Sequence, residues 1–124
     1  MQKRLLIVDD DVRLTRIIAL TADTLGIATV QVNDSRLALD SFIEFEPQVI
    51  ILDIFMPEQD GIDVLNEILL TGIPTKVVLT TGEGDRAVQV AQDAIRFHGA
   101  PEATVLHKPF RRAELVEVLN RLFT

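Results

Sequence analysis

Val49-Ile50-Ile51-Leu52-Asp53-Ile54-Phe55-Met56-Pro57 is an apolar run interrupted by a single carboxylate. A run with no polar alternation reads as a strand buried on both faces, the pattern of a parallel sheet covered by helices. Asp53 stands where that strand emerges. In open α/β sheets ligands bind outside the carboxyl ends of the strands, which makes an Asp at that point a functional candidate. Taken alone it reads more readily as a strand-end acceptor for the turn that follows. Its neighbours in the fold decide between the two.

Working outward, the chain alternates strand-like and helix-like segments with short connections. Upstream, residues 4–8 form a buried strand that runs into Asp9, Asp10 and Asp11. A helix follows with Leu14, Ile17, Ile18, Thr21 and Leu25 at helical spacing, stopped by Gly26. A strand from Ala28 to Val32 leads to the cap-type residues Asn33, Asp34 and Ser35, then to a helix carrying Leu37, Ala38, Phe42 and Phe45 that Pro47 closes. Downstream, the turn Glu58-Gln59-Asp60-Gly61 opens a helix with Ile62, Leu65, Ile68 and Leu69 on its apolar face. Lys76 to Thr80 is a fourth strand, and Val88, Ala91, Ala94 and Ile95 mark the helix after it. A short strand from Ala103 to Leu106 gives way to His107-Lys108-Pro109-Phe110 and a last helix with Leu115, Val118, Leu119 and Leu122. Five strands alternating with five helices predict an α/β domain with a mostly parallel, doubly wound sheet. Right-handed crossovers restrict the strand order without choosing it.

Composition sets the outer limits. The 124 residues are 48% hydrophobic and contain no run long enough to span a bilayer, which fits one soluble domain with a proper core. There is no cysteine, hence no disulfide framework and no thiolate metal site. The start, Met1-Gln2-Lys3-Arg4-Leu5, reaches Asp9 too soon for a secretory signal, so the expected location is the cytoplasm. The net charge of −7 is uneven, −8 over residues 1–70 and +1 over residues 71–124. An acidic domain with no basic stripe is not expected to bind nucleic acid directly, nor is membrane association.

All strands of a parallel sheet point one way. Asp9, Asp10, Asp53, Thr81 and Lys108, each just past a strand end, therefore share one rim. Carboxylates crowded there repel by ~4 kcal/mol per pair at ~4 Å with an effective dielectric of about 20, so at neutral pH they call for a cation. With only oxygens on offer, Mg²⁺ is the hard ion that suits them. Lys108 adds a fixed positive charge and Thr81 a hydroxyl, a donor set matched to the equatorial oxygens of a phosphoryl group in transfer, with Asp53 left as nucleophile. Each residue also has a plainer reading: Asp9 to Asp11 as helix caps, Thr81 as a turn hydroxyl, Lys108 as a solvated charge. Asp11, nearest the helix, is assigned only the cap.

The succession LLIVDD, ILDIFMPEQDG, VVLTTG and KPF resembles the receiver domain of bacterial two-component response regulators over essentially the whole chain, residues 1–124, with MP-x-x-DG its most specific piece. The resemblance implies a flavodoxin-like three-layer α/β/α fold with strand order 2-1-3-4-5. It implies a phosphoacceptor signalling domain and not an enzyme on separate substrates, one that takes a phosphoryl group from a histidine kinase or phosphotransfer protein onto Asp53. Asp10, Asp53 and the backbone carbonyl of Phe55 are then the Mg²⁺ ligands, with Asp9 acting through water. Thr81 is the switch hydroxyl, Lys108 the phosphate-binding cation, and Lys108-Pro109 a cis peptide. The output partner is unnamed, and the resemblance leaves room for a homodimer formed on phosphorylation.

Some positions depart from the pattern. Thr80 precedes Thr81, and Gly82, matching the small residue after the switch hydroxyl, favours Thr81. Where many receivers carry an aromatic three residues before the lysine, this chain has Val105. Arg96 to Glu102 reads as an extended fourth helix and a longer loop. Phe55 and Glu83 occupy positions that tune phosphoryl lifetime in members of that family, and the resemblance implies that the bulky Phe55 shields the acyl phosphate from water. Among rival readings, Gly82-Glu83-Gly84-Asp85-Arg86-Ala87 matches G-x-G-x-x-A, but it follows the fourth strand and holds two acids where a pyrophosphate needs room. A phosphohydrolase passing through an aspartyl phosphate is a closer rival, yet Phe55 stands where such enzymes often hold a second Asp. His98 and His107 are read as surface residues without metal partners.

Overall fold

The structure, a computed structural model, describes residues 2–56, 60–82 and 85–124. Strand and helix alternate along the chain: β1 (Lys3–Val8), α1 (Val12–Thr24), β2 (Ile27–Val32), α2 (Ala38–Phe45), β3 (Val49–Asp53), α3 (Gly61–Leu70), β4 (Lys76–Thr81), α4 (Asp85–Phe97), β5 (Thr104–His107) and α5 (Arg112–Leu122). All four strand pairings are parallel and the order is β2-β1-β3-β4-β5. The doubly wound, three-layer expectation holds. All five residues of β3 are buried, as its unbroken apolar pattern requires.

Strand alternation divides the core in two. Leu6, Val8, Ile50, Leu52, Val77 and Leu79 pack with Phe42 of α2, Leu65 and Ile68 of α3, and Ala91 and Ile95 of α4. Leu5, Ile7, Val49, Ile51, Val78 and Leu106 pack with Ile18 and Ala22 of α1 and Leu115 and Leu119 of α5. Each fully buried Leu or Ile contributes roughly 1.5–3 kcal/mol over an exposed one, so both layers hold the sheet firmly behind its carboxyl-end rim.

Four details differ from the sequence-based expectation. Ile17 is exposed, because the inward stripe of α1 runs through Thr15, Ile18, Ala19 and Ala22, and only one of two consecutive isoleucines can face the sheet. Leu37 is also exposed, since it ends a 3-10 turn at Ser35–Leu37 that precedes α2. The fourth helix stops at Phe97, so only the first two residues of the Arg96 to Glu102 stretch are helical. Asp53 and Thr81 are the last residues of β3 and β4, still inside the strands. The Pro57-Glu58-Gln59 part of the expected turn and Glu83-Gly84 lie outside the described residues. No helix among the described residues is long and apolar enough to cross a membrane.

Candidate functional site

The rim is assembled from strand ends. Asp9 follows β1, Asp53 ends the neighbouring β3, and Lys108 follows β5, two strands from β3 across β4. The backbone N–H of Lys108 donates to the Thr81 carbonyl at 2.8 Å, which continues the β4–β5 pairing past its last residues. Lys108-Pro109 is cis, as the resemblance implies. From there the lysine side chain spans β4, donating to Asp9 Oδ2 at 2.8 Å and pairing with Asp53 Oδ2 at 3.4 Å.

Both carboxylates are deeply placed, Asp9 at 2% exposure and Asp53 at 4%, whereas Asp10 is exposed. Asp9 Oδ1 accepts the Asp11 N–H at 2.9 Å, and Asp53 Oδ1 accepts the Phe55 N–H at 3.2 Å. Asn33 Nδ2 donates to the Asp9 carbonyl and to Thr15 Oγ1, both at 2.9 Å, fixing the turn after β1. Asp11 caps α1 by accepting the N–H groups of Arg13 and Leu14, the only task assigned to it.

Burial, then the charge of Asp9, pushes the Asp53 carboxyl above the usual carboxylate range, with Lys108 and the Phe55 N–H pulling the other way. Burial works to lower Lys108, but the hydrogen bond and charge of Asp9, together with Asp53, outweigh it and hold the ammonium above its ordinary value. Ligand oxygens of Asp9, Asp10 and Asp53 all lie within 4.8 Å of one another. One lysine does not neutralise three such acids, and an all-oxygen donor set of this size fits Mg²⁺.

Gly61 explains the specificity of the DG pair. Its N–H donates to the Ile54 carbonyl at 2.9 Å, and a Cβ here would lie 2.1 Å from the Asp53 carbonyl oxygen and 2.7 Å from Ile54 Cα. Only glycine lets α3 start this close to the end of β3. Asp60 caps that helix through the Ile62 N–H at 2.9 Å.

Asp9, Asp10, Asp53, Thr81 and Lys108 are thus gathered at one end of the sheet. Thr81 is fully buried and in register with His107, one step beyond Asp53, which is level with Thr80. Val105 is half-buried in β5, level with Leu79. Phe55, half exposed, lines a cleft with Asp53, Gly82 and Lys108. His107 and His98 are exposed, and neither joins a metal-holding group among the described residues. One polar residue here is given no role by the sequence, which favours Thr81 over it: Thr80, level with Asp53 and on the same sheet face, a placement that strand alternation alone would have given.

Comparison with known proteins gives a concordant answer. The model of the response regulator receiver domain matches residues 5–120. The chain is 31% identical to the chemotaxis protein CheY of Thermotoga maritima, over 98% of both proteins. It is 36% identical to the regulatory protein AtoC of Escherichia coli over 95% of this chain but only 24% of AtoC, so it spans about a quarter of that relative. Among solved structures, the receiver domain of the Francisella response regulator 1452 superposes with a TM-score of 0.81 at 26% identity, covering 98% of this chain and 97% of that one. The chain belongs to the response regulator receiver domain family of two-component signal transduction, whose common activity is phosphorylation at an aspartate.

Proposed function

We propose that residues 1–124 form a single receiver domain and that Asp53 is its phosphoacceptor. The observation that carries this is the buried Asp53 carboxylate, paired with the Lys108 ammonium that also holds Asp9, at the mouth of an open cleft. Receiver domains work with histidine kinases and with output domains, and relatives such as AtoC are longer than this chain. The donor here is the phosphohistidine of a kinase or phosphotransfer protein. An Asp53 oxygen attacks phosphorus, the P–O bond forms as the P–N bond breaks, and the imidazole leaves. The protein is a phosphoacceptor, not an enzyme acting on separate substrates, and it works in the cytoplasm.

Asp10, Asp53 and the Phe55 carbonyl are the residues that would hold Mg²⁺, with Asp9 acting through water. When bound, the ion supplies positive charge to the acidic rim and to the phosphoryl oxygens. Lys108 leaves the carboxylates for a phosphoryl oxygen, and Phe55 limits the approach of water. Phosphorylation adds about −1.5 to −2 charges and three strong acceptors, which draw in the Thr81 hydroxyl and with it the end of β4. That local shift biases the outer surface between two arrangements, read by an output domain, a separate protein or a second copy of the chain.

The test is the intact mass after incubation with acetyl phosphate and Mg²⁺, beside Asp53→Ala. One phosphoryl adduct that requires Mg²⁺ and is lost in the variant is the expected result. An adduct of equal yield in the variant would move the acceptor elsewhere, and no adduct on the folded wild type would leave a module that signals by binding alone.

A further inference from the structure

The assignment of Asp53 as acceptor leaves one buried polar atom beside it without a task. Thr80 Oγ1 is fully buried and has no hydrogen-bond partner among the described residues. A hydroxyl in that condition costs stability that valine, of the same shape, would not.

Its location is informative. Thr80 pairs with Asp53 on one side and Leu106 on the other. Alternation places its side chain on the face that holds Val78 and Leu106, toward α1 and α5. Asp9 continues the row of Leu5 and Ile7, and Asp53 continues that of Val49 and Ile51, so both carboxylates belong to the same face. Lys108 enters from the end of β5, and its ammonium reaches Asp53 and Asp9 by crossing β4. On that face and at that level, the residue of β4 is Thr80.

We propose that Thr80 is a positioning residue of the phosphoryl site: its hydroxyl becomes a hydrogen-bond partner of the Lys108 ammonium when that ammonium turns from the two carboxylates to a phosphoryl group on Asp53. This rests on the reading of Asp53 as phosphoacceptor. An ammonium carries three donors, and here two of its near neighbours are carboxylates. Conversion of Asp53 to its acyl phosphate moves negative charge outward onto the phosphoryl oxygens, and Nζ follows it. The hydroxyl then accepts from Nζ and offers its own hydrogen to the remaining Asp53 carbonyl oxygen, its neighbour across the strand pair. The unsatisfied atom of the unphosphorylated site thereby gains both partners. Thr81, one residue on and directed to the opposite face, has a separate role.

The experiment compares wild type, Thr80→Val and Thr80→Ser in three measurements: melting without metal, the rate of adduct formation with acetyl phosphate and Mg²⁺, and the affinity for beryllium fluoride with Mg²⁺. Thr80→Val should melt at or above wild type, form the adduct about tenfold more slowly and bind beryllium fluoride about tenfold more weakly, the scale of one hydrogen bond to a charged group. Thr80→Ser should return both to within about twofold. Two results would overturn the proposal: Thr80→Val equal to wild type in rate and affinity, or Thr80→Val melting well below wild type, which would mean that the hydroxyl is already engaged. If wild type itself takes up no phosphoryl group, it is the Asp53 assignment that fails, and the proposal falls with it.

Discussion

At the same height, the two faces of the sheet carry different kinds of residue. Toward α1 and α5 the rows that begin in apolar core end in Asp9, Asp53, Thr80 and Lys108. Toward α2, α3 and α4 the core stays apolar up to Val8, Leu52, Ile54 and Leu79, and ends at Thr81. With Asp53 as the proposed acceptor, the first face is where charge would be added. On the second, the main polar fastening is Gln92 of α4, whose Oε1 accepts the Ala103 N–H at 3.0 Å and whose Nε2 donates to the Ala103 carbonyl at 2.9 Å. The charged and the apolar face thus lie on opposite sides of one sheet, and among the described residues they meet at the strand ends. Thr80 and Thr81, consecutive and facing opposite ways, stand where the two faces meet at the end of β4.

Gly61→Ala would break this division most severely, because its Cβ would collide with the backbone that carries Asp53. A loss of about 3 kcal/mol is expected in urea unfolding, at the upper end for overpacking, since backbone and not a flexible side chain must yield. Slower adduct formation should accompany it. Gln92→Leu comes next and tests whether the faces are separable. It strips the buried Ala103 N–H and carbonyl of their partners, for a loss of about 2 kcal/mol, while adduct formation should stay within about twofold of wild type. A parallel fall in phosphorylation would show that the division is not real.

The smallest effect is expected from Asp53→Asn, and its sign is opposite. A carboxyl whose folded-state pKa is raised favours folding most when protonated, and that advantage is lost as pH rises through the raised value. At neutral pH without metal, ionised Asp53 therefore works against the fold, and Asp53→Asn should melt a few degrees higher than wild type. The gap should close as pH falls through the raised pKa toward 3.8, the ordinary value. Melting curves across that range, with and without Mg²⁺, check it; a variant that melts lower at neutral pH would contradict the crowding of the acids.

Most of the fold and the rim could be read directly from the sequence. In a parallel sheet the ends of strands coincide, so five positions far apart in the chain fall together once the strands are recognised. What escaped depended on direction within an element. Ile17 and Ile18 look alike in composition, and only packing decides which turns inward. Leu37 fits a helical period but sits in a tighter turn. Gln92 shares a face with Val88, Ala91 and Ile95, an apolar stripe where a lone amide signals a buried partner, yet the identity of that partner required the fold. Thr80 was set aside in choosing Thr81, although alternation assigns the two to opposite faces.

The pair Lys108–Asp9 joins positions 99 residues apart, from just after the first strand to just after the last. During synthesis the acids of the domain emerge early and their lysine only after its last strand. A partly made domain, even with β1 and β3 paired, holds the carboxylates without the cation that completes the proposed phosphoryl site. Contacts of such long sequence separation are the slow ones to form. With Asp53 as the proposed acceptor, competence to receive a signal arrives only with the completed sheet, and a kinase that tests this rim would also be testing whether the domain has finished folding.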